Sequence, residues 1–457
     1  MSSNWPAVQA VLENADVPDI VKGLFRQHYE KLCSGTESYI RESEIQPVSD
    51  VVDAETLPPS MQDAGRAGLD SVAVLKLNGG LGTSMGLEGP KSLLPVRGED
   101  SFLSFILRQA EQLSVPLVLM NSFSTATQTD EAIAALGDLD VEVISFLQHQ
   151  VPKIDAKTLE PAVWPADPSM QWCPPGHGDI YAALVTSGTL ERLLKEGRRY
   201  LFVSNADNLG ATLDLSILGH FIESGKSFLM EVADRTAADR KGGHLARRGD
   251  GQLLLREKAQ CHDEEEGQFQ DITKHRYFNT NNLWIDLVAL SEFLQSNDGV
   301  VSLPTITNRK TVDPKDPSST PVYQLETAMG AAIEVLPNTD AIRVPRSRFA
   351  PVKTTGDLIA VRSDAYEVRE DYSVGLIAQR NGVPPHVALN DRYFKKISDL
   401  DQRFDDTPSL RSCETLNVSG NLKLSSGITI QGTASLVGGE TPATVPAGTY
   451  EGEQTFG

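Results

Sequence analysis

Leu77-Asn-Gly-Gly-Leu-Gly-Thr-Ser-Met-Gly-Leu-Glu-Gly-Pro-Lys91 decides the reading of this chain. It grows out of a short apolar run, Val72, Val74, Leu75 and Leu77, and holds five glycines between positions 79 and 89. Glycine reaches positive φ without strain and lets an anion approach the backbone amides closely. Such a loop, placed directly after a buried strand, suits a phosphate. Spacing excludes two familiar phosphate loops. Gly80-Leu-Gly82 is followed by Gly86, one residue later than the dinucleotide fingerprint requires. Lys91-Ser92 resembles the end of a P-loop, but Pro90 stands where that loop needs glycine. Pro90 also stiffens the approach to Lys91. A lysine held at a fixed place beside an amide-rich loop suits a polyphosphate.

Outward from this loop the pattern is strand, helix, strand. Apolar, β-rich runs recur at 117 to 120, 141 to 146, 200 to 203, 228 to 232 and 283 to 285. Stretches of helical character, 102 to 113 and 180 to 194, separate several of them. This alternation predicts an α/β layer with a largely parallel sheet. Ligands of such sheets bind outside the carboxyl ends of the strands. Three polar clusters fall there: Asn78-Gly79-Gly80, Asn121-Ser122 and Asn205-Ala206-Asp207-Asn208.

The two ends of the chain read differently. Residues 5 to 34 predict an amphipathic helical cap, with Ile20, Leu24 and Tyr29 on one face. The polar segment 47 to 59, with three prolines, reads as a linker. Near the C-terminus, Val418, Leu424, Ile430 and Leu436 recur every six residues, and Leu416, Leu422, Ile428 and Ala434 form a second such series. A six-residue apolar repeat fits the rungs of a β-helix, each burying its face against the next. Its open end is a candidate surface for self-association through edge strands.

Composition narrows the function. The 457 residues suffice for two or three domains, and 40% hydrophobic content argues against wholesale disorder. A net charge of −21 disfavours a generic binder of nucleic acid or anionic membrane. No run approaches the ~18 to 20 apolar residues of a membrane helix. The opening Met-Ser-Ser-Asn-Trp-Pro has neither the basic start nor the apolar core of a secretory signal. Cys33, Cys173, Cys261 and Cys413 lack both zinc-site spacing and disulfide density. A reducing, cytoplasmic location is expected.

Leu77-Asn-Gly-Gly-Leu-Gly-Thr-x-Met-Gly-x-x-x-Pro-Lys91 resembles the signature of the eukaryotic-type UTP–glucose-1-phosphate uridylyltransferases. Further blocks follow in the family's order: Met120-Asn-Ser-Phe123, Pro174-Pro-Gly-His-Gly-Asp179, Asn205-Ala-Asp-Asn-Leu-Gly210, Lys241-Gly-Gly243, Phe278-Asn-Thr-Asn-Asn-Leu-Trp284, Gln324-Leu-Glu-Thr327 and Pro345-Arg-Ser-Arg-Phe-Ala-Pro-Val-Lys353. The resemblance implies a central mixed, largely parallel sheet of nucleotidyltransferase type (Rossmann-like, GT-A-like). It adds a helical N-terminal segment (1–55), a catalytic domain (56–365) and a C-terminal domain with a left-handed β-helix (366–457). It implies a reversible, Mg²⁺-dependent reaction in which glucose 1-phosphate attacks the α-phosphate of UTP, giving UDP-glucose and pyrophosphate.

Residue roles follow from the matched motifs. Lys91 and Lys353 correspond to the family's phosphate-handling lysines, on opposite sides of the cleft. Leu77, Asn78, Gly79 and Gly80 would take the nucleotide. Gln148 matches a uracil contact, with Gln150 as its rival, and Pro175-Gly176 would bring backbone against the base. His177, Asn205, Lys241 and Asn281 fall to the sugar phosphate. Asp207, at a strand end facing phosphates, would hold Mg²⁺. Neutral amides such as Asn281 suit sugar hydroxyls because they both donate and accept. Arg346 and Arg348 read as a structural tie on an alternating strand. Glu326 suits either a hydroxyl contact or a helix cap. The acidic run 263 to 266 reads as a solvated loop.

Overall fold

The computed structural model describes residues 4–35, 39–137 and 139–457. Its centre is an eight-stranded sheet. In chain order the strands are β1 (Val52–Asp53), β2 (Val72–Asn78), β3 (Leu117–Asn121), β4 (Val143–Leu147), β5 (Tyr200–Asn205), β6 (Phe228–Asp234), β7 (Tyr277–Asp286) and β8 (Thr339–Arg343). They lie side by side in the order β1-β8-β6-β7-β5-β2-β3-β4. All neighbours are parallel except β7, which runs antiparallel to both β5 and β6. The sheet is therefore mixed, as a large α/β fold with one reversed inner strand.

Both faces of the sheet are covered, which explains why β2 and β3 read as continuous apolar runs rather than alternating ones. Ala73, Leu75, Val118 and Val203 pack on one face with helices Ile180–Thr186 and Leu287–Ser296. Val72, Val74, Leu117 and Phe202 pack on the other with helices Phe102–Leu113 and Leu215–Ser224. The helix Phe102–Leu113 starts where Ser101 caps it, its Oγ accepting from the Ser104 N–H.

The N-terminal region forms two helices, Trp5–Asn14 and Asp19–Ser34, interrupted before Pro18. Val8, Leu12, Phe25 and Tyr29 pack against Val151, Ile154 and Leu325, so the pair caps the body. The segment read as a linker does more than connect. Val52–Asp53 joins the sheet edge beside β8, an extension the prolines on either side concealed. The acidic run is likewise not all solvated: Glu265 accepts a 2.6 Å hydrogen bond from the fully buried Arg256.

At the C-terminus lie β9 (His386–Leu389), β10 (Ser409–Ser419), β11 (Leu422–Leu424), β12 (Ile428–Gly438), β13 (Ala443–Val445) and β14 (Gly448–Phe456). β9, β10, β12 and β14 pair in parallel in that order, and β11 pairs in parallel with β13. Leu416 stands beside Ala434 and Val418 beside Leu436. Every member of both six-residue series is buried. Their core is continuous with Met85 of the glycine-rich loop and with Val352. No helix among the described residues is long and apolar enough to cross a membrane.

Candidate active site

The carboxyl ends of four adjacent parallel strands are level. Asn78 of β2 stands beside Asn121 of β3, Asn121 beside Leu147 of β4, and Asn205 of β5 beside Leu77. A cavity of about 270 Å³ opens above them. Leu77, Asn78, Gly79, Gly80, Lys91, Gln148, Gly176, His177, Asn205 and Asp207 all line it. Residues far apart in sequence thus meet because their strands end at one edge.

The glycine-rich loop is an excursion that closes on itself. The Lys91 N–H donates to the Gly80 carbonyl at 3.1 Å, and Leu81 bridges Pro90. Lys91 returns to the point where the loop left the sheet. Its Nζ donates to Asp207 Oδ2 at 2.7 Å, and both side chains keep some access to solvent, 15% and 21%. One cation and one anion therefore face each other across the cavity floor.

At the other end, the Gln148 amide lies directly against Gly79. A Cβ on Gly79 would stand 2.7 Å from Gln148 Nε2, so glycine is what permits the approach. Gln148 lines this cavity and Gln150 does not; Gln150 faces a neighbouring cavity of about 580 Å³. Gly176 has φ +81°, and a Cβ there would lie 2.4 Å from the Thr327 carbonyl oxygen. Glycine is needed there both for the turn and for the contact. Pro174 lines the cavity in place of Pro175, whose carbonyl instead accepts the Thr327 N–H at 2.9 Å.

His177 is partly buried, and its Nδ1 accepts the Met329 N–H at 3.0 Å. That bond leaves Nε2 as the protonated nitrogen. Burial pushes the imidazole pKa down to about 4, so the ring is neutral near pH 7. His177 therefore offers a neutral N–H donor rather than a charge.

Four of the residues expected at the site do not line the cavity. Pro175 is the first. Lys241 is exposed, on the loop after the short turn Ala237–Asp239. Asn281 lies on β7 at a bulge, with φ 60°, its N–H and side chain engaged with the Asn279 amide. Lys353 is exposed, with its Nζ 5.9 Å from the Phe349 ring centre. Asn78 does line the cavity, but its Nδ2 is engaged with Asn121 Oδ1 and Thr129 Oγ1. Arg346 and Arg348 lie on a 3₁₀ turn, not a strand. Arg348 forms a buried two-bond pair with Glu231, at 2.7 Å each, while Arg346 pairs with Asp239. Glu326 ends the strand Pro321–Glu326 and does not cap the turn after Ala328.

One residue that organises the cavity wall was not singled out from the sequence. Asp179 accepts the His149 backbone N–H at 2.7 Å and its ring Nδ1 at 2.9 Å. It fastens the Gln148 arm to the block that carries Gly176 and His177. Its membership of that block was the available signal.

A closed glycine loop, a lysine and a carboxylate at the carboxyl edge of a parallel sheet define an α/β protein built to hold a phosphorylated nucleotide. The family profile of UTP--glucose-1-phosphate uridylyltransferase matches residues 22–431. The chain is 39% identical over 438 residues to the UTP--glucose-1-phosphate uridylyltransferase of Hordeum vulgare, covering 93% of this chain and 91% of that one. It is 43% identical over 385 residues to the Saccharomyces cerevisiae protein of the same name, covering 83% and 76%. Among solved structures, a point mutant of UDP-glucose pyrophosphorylase from Leishmania major, in complex with UDP-glucose, superposes with a TM-score of 0.90. That pair is 40% identical and covers 100% of this chain and 99% of the other. The structure described as UDP-glucose phosphorylase from Trypanosoma brucei gives 0.88, with 40% identity and 99% of both chains covered. The chain belongs to the UTP–glucose-1-phosphate uridylyltransferase family.

Proposed function

We propose that this protein joins UTP and glucose 1-phosphate to give UDP-glucose and pyrophosphate, reversibly. The observation that carries the proposal is the single cavity that gathers glycine-loop backbone, Lys91, Asp207, Asn205, His177 and Gln148. In the reaction an oxygen of the sugar phosphate attacks the α-phosphorus, and the bond to the pyrophosphate oxygen breaks on the opposite side. Both reactants are polyanions, so positioning and charge neutralisation are the main tasks. No side-chain nucleophile is required, because the sugar phosphate is already ionised.

The Gln148 amide and the backbone at Gly176 read the uracil edge, since together they supply donors and acceptors. Gly79 and Gly80 admit the nucleotide to the loop. Lys91 bears on the α-phosphate and the leaving pyrophosphate. Lys353 approaches from the segment beyond Asp207, whose carbonyl accepts the Val352 N–H. The His177 Nε2–H and the Asn205 amide donate to the sugar phosphate. Lys241 and Asn281 complete the sugar side from loop and bulge.

Asp207 suits a divalent cation. Its carboxylate lines the cavity and already attracts the ammonium of Lys91. No group of three or more His, Cys, Asp or Glu that could hold a metal ion occurs among the described residues. A single carboxylate in the cavity is the donor set that suits Mg²⁺, which takes one or two carboxylates and fills its shell with water and phosphate oxygens. Such an ion would supply further charge neutralisation on the phosphates.

The wider reading has support of the same kind. The sheet supports a nucleotidyltransferase core of Rossmann-like, GT-A-like type, within the division 1–55, 56–365 and 366–457. The parallel pairing of β9 to β14 supports a left-handed β-helix whose terminal strand β14 could join copies of the chain. All four cysteines are free thiols, which supports a reducing, cytoplasmic setting. The test is pyrophosphate release with Mg²⁺, UTP and glucose 1-phosphate, each omitted in turn, and with other sugar 1-phosphates in parallel. Release that needs both substrates supports the proposal. Release with UTP and another sugar phosphate only would change the acceptor, and none with any pair would overturn it.

A further inference from the structure

Lys353 is exposed, and among the described residues no carboxylate pairs with its ammonium; its backbone N–H is tied to Asp357. Its segment is tied to Asn208, the residue after Asp207, at Arg348, Ala350 and Pro351. Asn208 Oδ1 accepts the N–H of Ala350 at 3.0 Å and of Gly210 at 3.2 Å. Its Nδ2 donates to the Arg348 carbonyl at 3.0 Å and to Asn282 Oδ1 at 3.4 Å. The partners leave no freedom in the amide's orientation, since two are backbone donors and one a backbone acceptor. Alongside, Asn208 bridges Pro351, and the Val352 N–H donates to the Asp207 carbonyl at 3.2 Å. Asn208 is 3% exposed.

The anchor beneath it is buried and charged. Glu231, fully buried on β6, receives two hydrogen bonds from Arg348, one from Asn282 Nδ2 and one from Trp284 Nε1. A hydrogen-bonded chain thus runs from the Asp207 loop through Asn208 to Arg348 and Asn282, and ends on Glu231. An aspartate at 208 would lose both donors and face two oxygens. Only an amide serves all four partners.

We propose that Asn208 is a positioning residue that sets Lys353 against Asp207 and the reacting phosphates. The inference rests on the reading of Lys353 as a phosphate-handling lysine. A misplacement of about 1 Å far from the chemistry can cost ~10²-fold in rate. A long, exposed side chain next to the buried Val352 depends on the exact path of its backbone, and Asn208 fixes that path at Ala350.

The test is a double-mutant cycle in steady-state kinetics of pyrophosphate release, using Asn208→Ala, Asn208→Asp and Lys353→Ala alone and combined. Asn208→Ala should lower kcat by about 10- to 100-fold, with KM for UTP within about threefold of normal. In the Lys353→Ala background the same change should cost less than about threefold. A merely structural role would multiply independently of Lys353, so equal costs in both backgrounds would overturn the inference. Near-normal kcat for Asn208→Ala or Asn208→Asp would also overturn it. If Asn208→Ala does not fold, the nearly isosteric Asn208→Asp decides, with the same cycle. Near-normal kcat for Lys353→Ala would instead remove the reading of Lys353 itself, and the inference with it.

Discussion

The loop that carries Lys91 and the segment that carries Lys353 bring lysines to the same sheet edge in different ways. The first leaves β2, closes through Gly80 and Pro90, and delivers Lys91 beside its own point of departure. Its geometry is written in adjacent residues: glycines that permit the turn and a proline that stiffens the return. The second has no closed loop. Its position depends on Asn208, Val352 and the buried Arg348–Glu231 pair, whose partners come from the loop after β5, from β6 and from β7. The ends of the first loop are joined by their own backbone, although Met85 at its tip packs on the C-terminal core, whereas the second segment depends on anchors distant in sequence.

The largest effect expected is at the locally built lysine. Lys91→Ala should reduce turnover by about 10³-fold or more, as removal of one preorganised charge does in other acyl- and phosphoryl-transfer sites. Circular dichroism should show a normally folded protein. Retained turnover would remove Lys91 from the phosphates. Lys353→Ala should cost about 10²- to 10³-fold by the same argument. A smaller loss than at Lys91 would sharpen the contrast between an enclosed and an exposed lysine, and a larger one would break it.

Next in size is the anchor. Arg348→Met leaves Glu231 buried without its cation, at a cost of about 3–5 kcal/mol in urea unfolding. A loss below about 1 kcal/mol would show that the Lys353 segment does not depend on that pair. A smaller effect is expected at the Lys91–Asp207 contact. Asp207→Asn frees Lys91, so UTP binding measured calorimetrically without metal should strengthen by roughly two- to fivefold, even as Mg²⁺-dependent turnover falls. Weaker metal-free binding would mean that Lys91 does not meet the nucleotide.

The smallest effect concerns pH. His177 has a folded pKa of about 4, below the ~6.5 of an exposed histidine. The unfolded chain therefore binds more protons between those values. The contribution of neutral His177 is complete above pH ~6.5 and is lost as pH falls towards 4. His28 and His244 are displaced in the same direction by burial. His177→Gln should show a shallower loss of stability between pH 7 and 5 than the parent protein, read from urea midpoints. Parallel slopes would assign the acid sensitivity to the other histidines.

The sheet was legible because buried parallel strands read as apolar runs, and β2, β3 and β5 fell where those runs lie. β1 was not, because two residues in a polar, proline-bounded segment carry too little pattern. The C-terminal series were legible as a period, and all their members are buried. The placing of Gln148 rather than Gln150 in the cavity was open, since neighbouring alternatives differ only in how the chain leaves β4. Arg346 and Arg348 were read as a tie, correctly in kind. Their partners, Asp239 and Glu231, lie more than a hundred residues upstream and had no local signal.

By itself the sequence determined the glycine loop, the order of the motifs and the presence of residue types suited to phosphate. These depend on backbone freedom and side-chain chemistry, which are properties of the residues themselves. Tertiary structure alone decided which of those residues share a cavity, that Lys91 faces Asp207, and that Asn208 joins the Asp207 loop to the Lys353 segment. Those are distances between strand ends. They are set by sheet order and by the reversal of β7, and no stretch of adjacent residues encodes them.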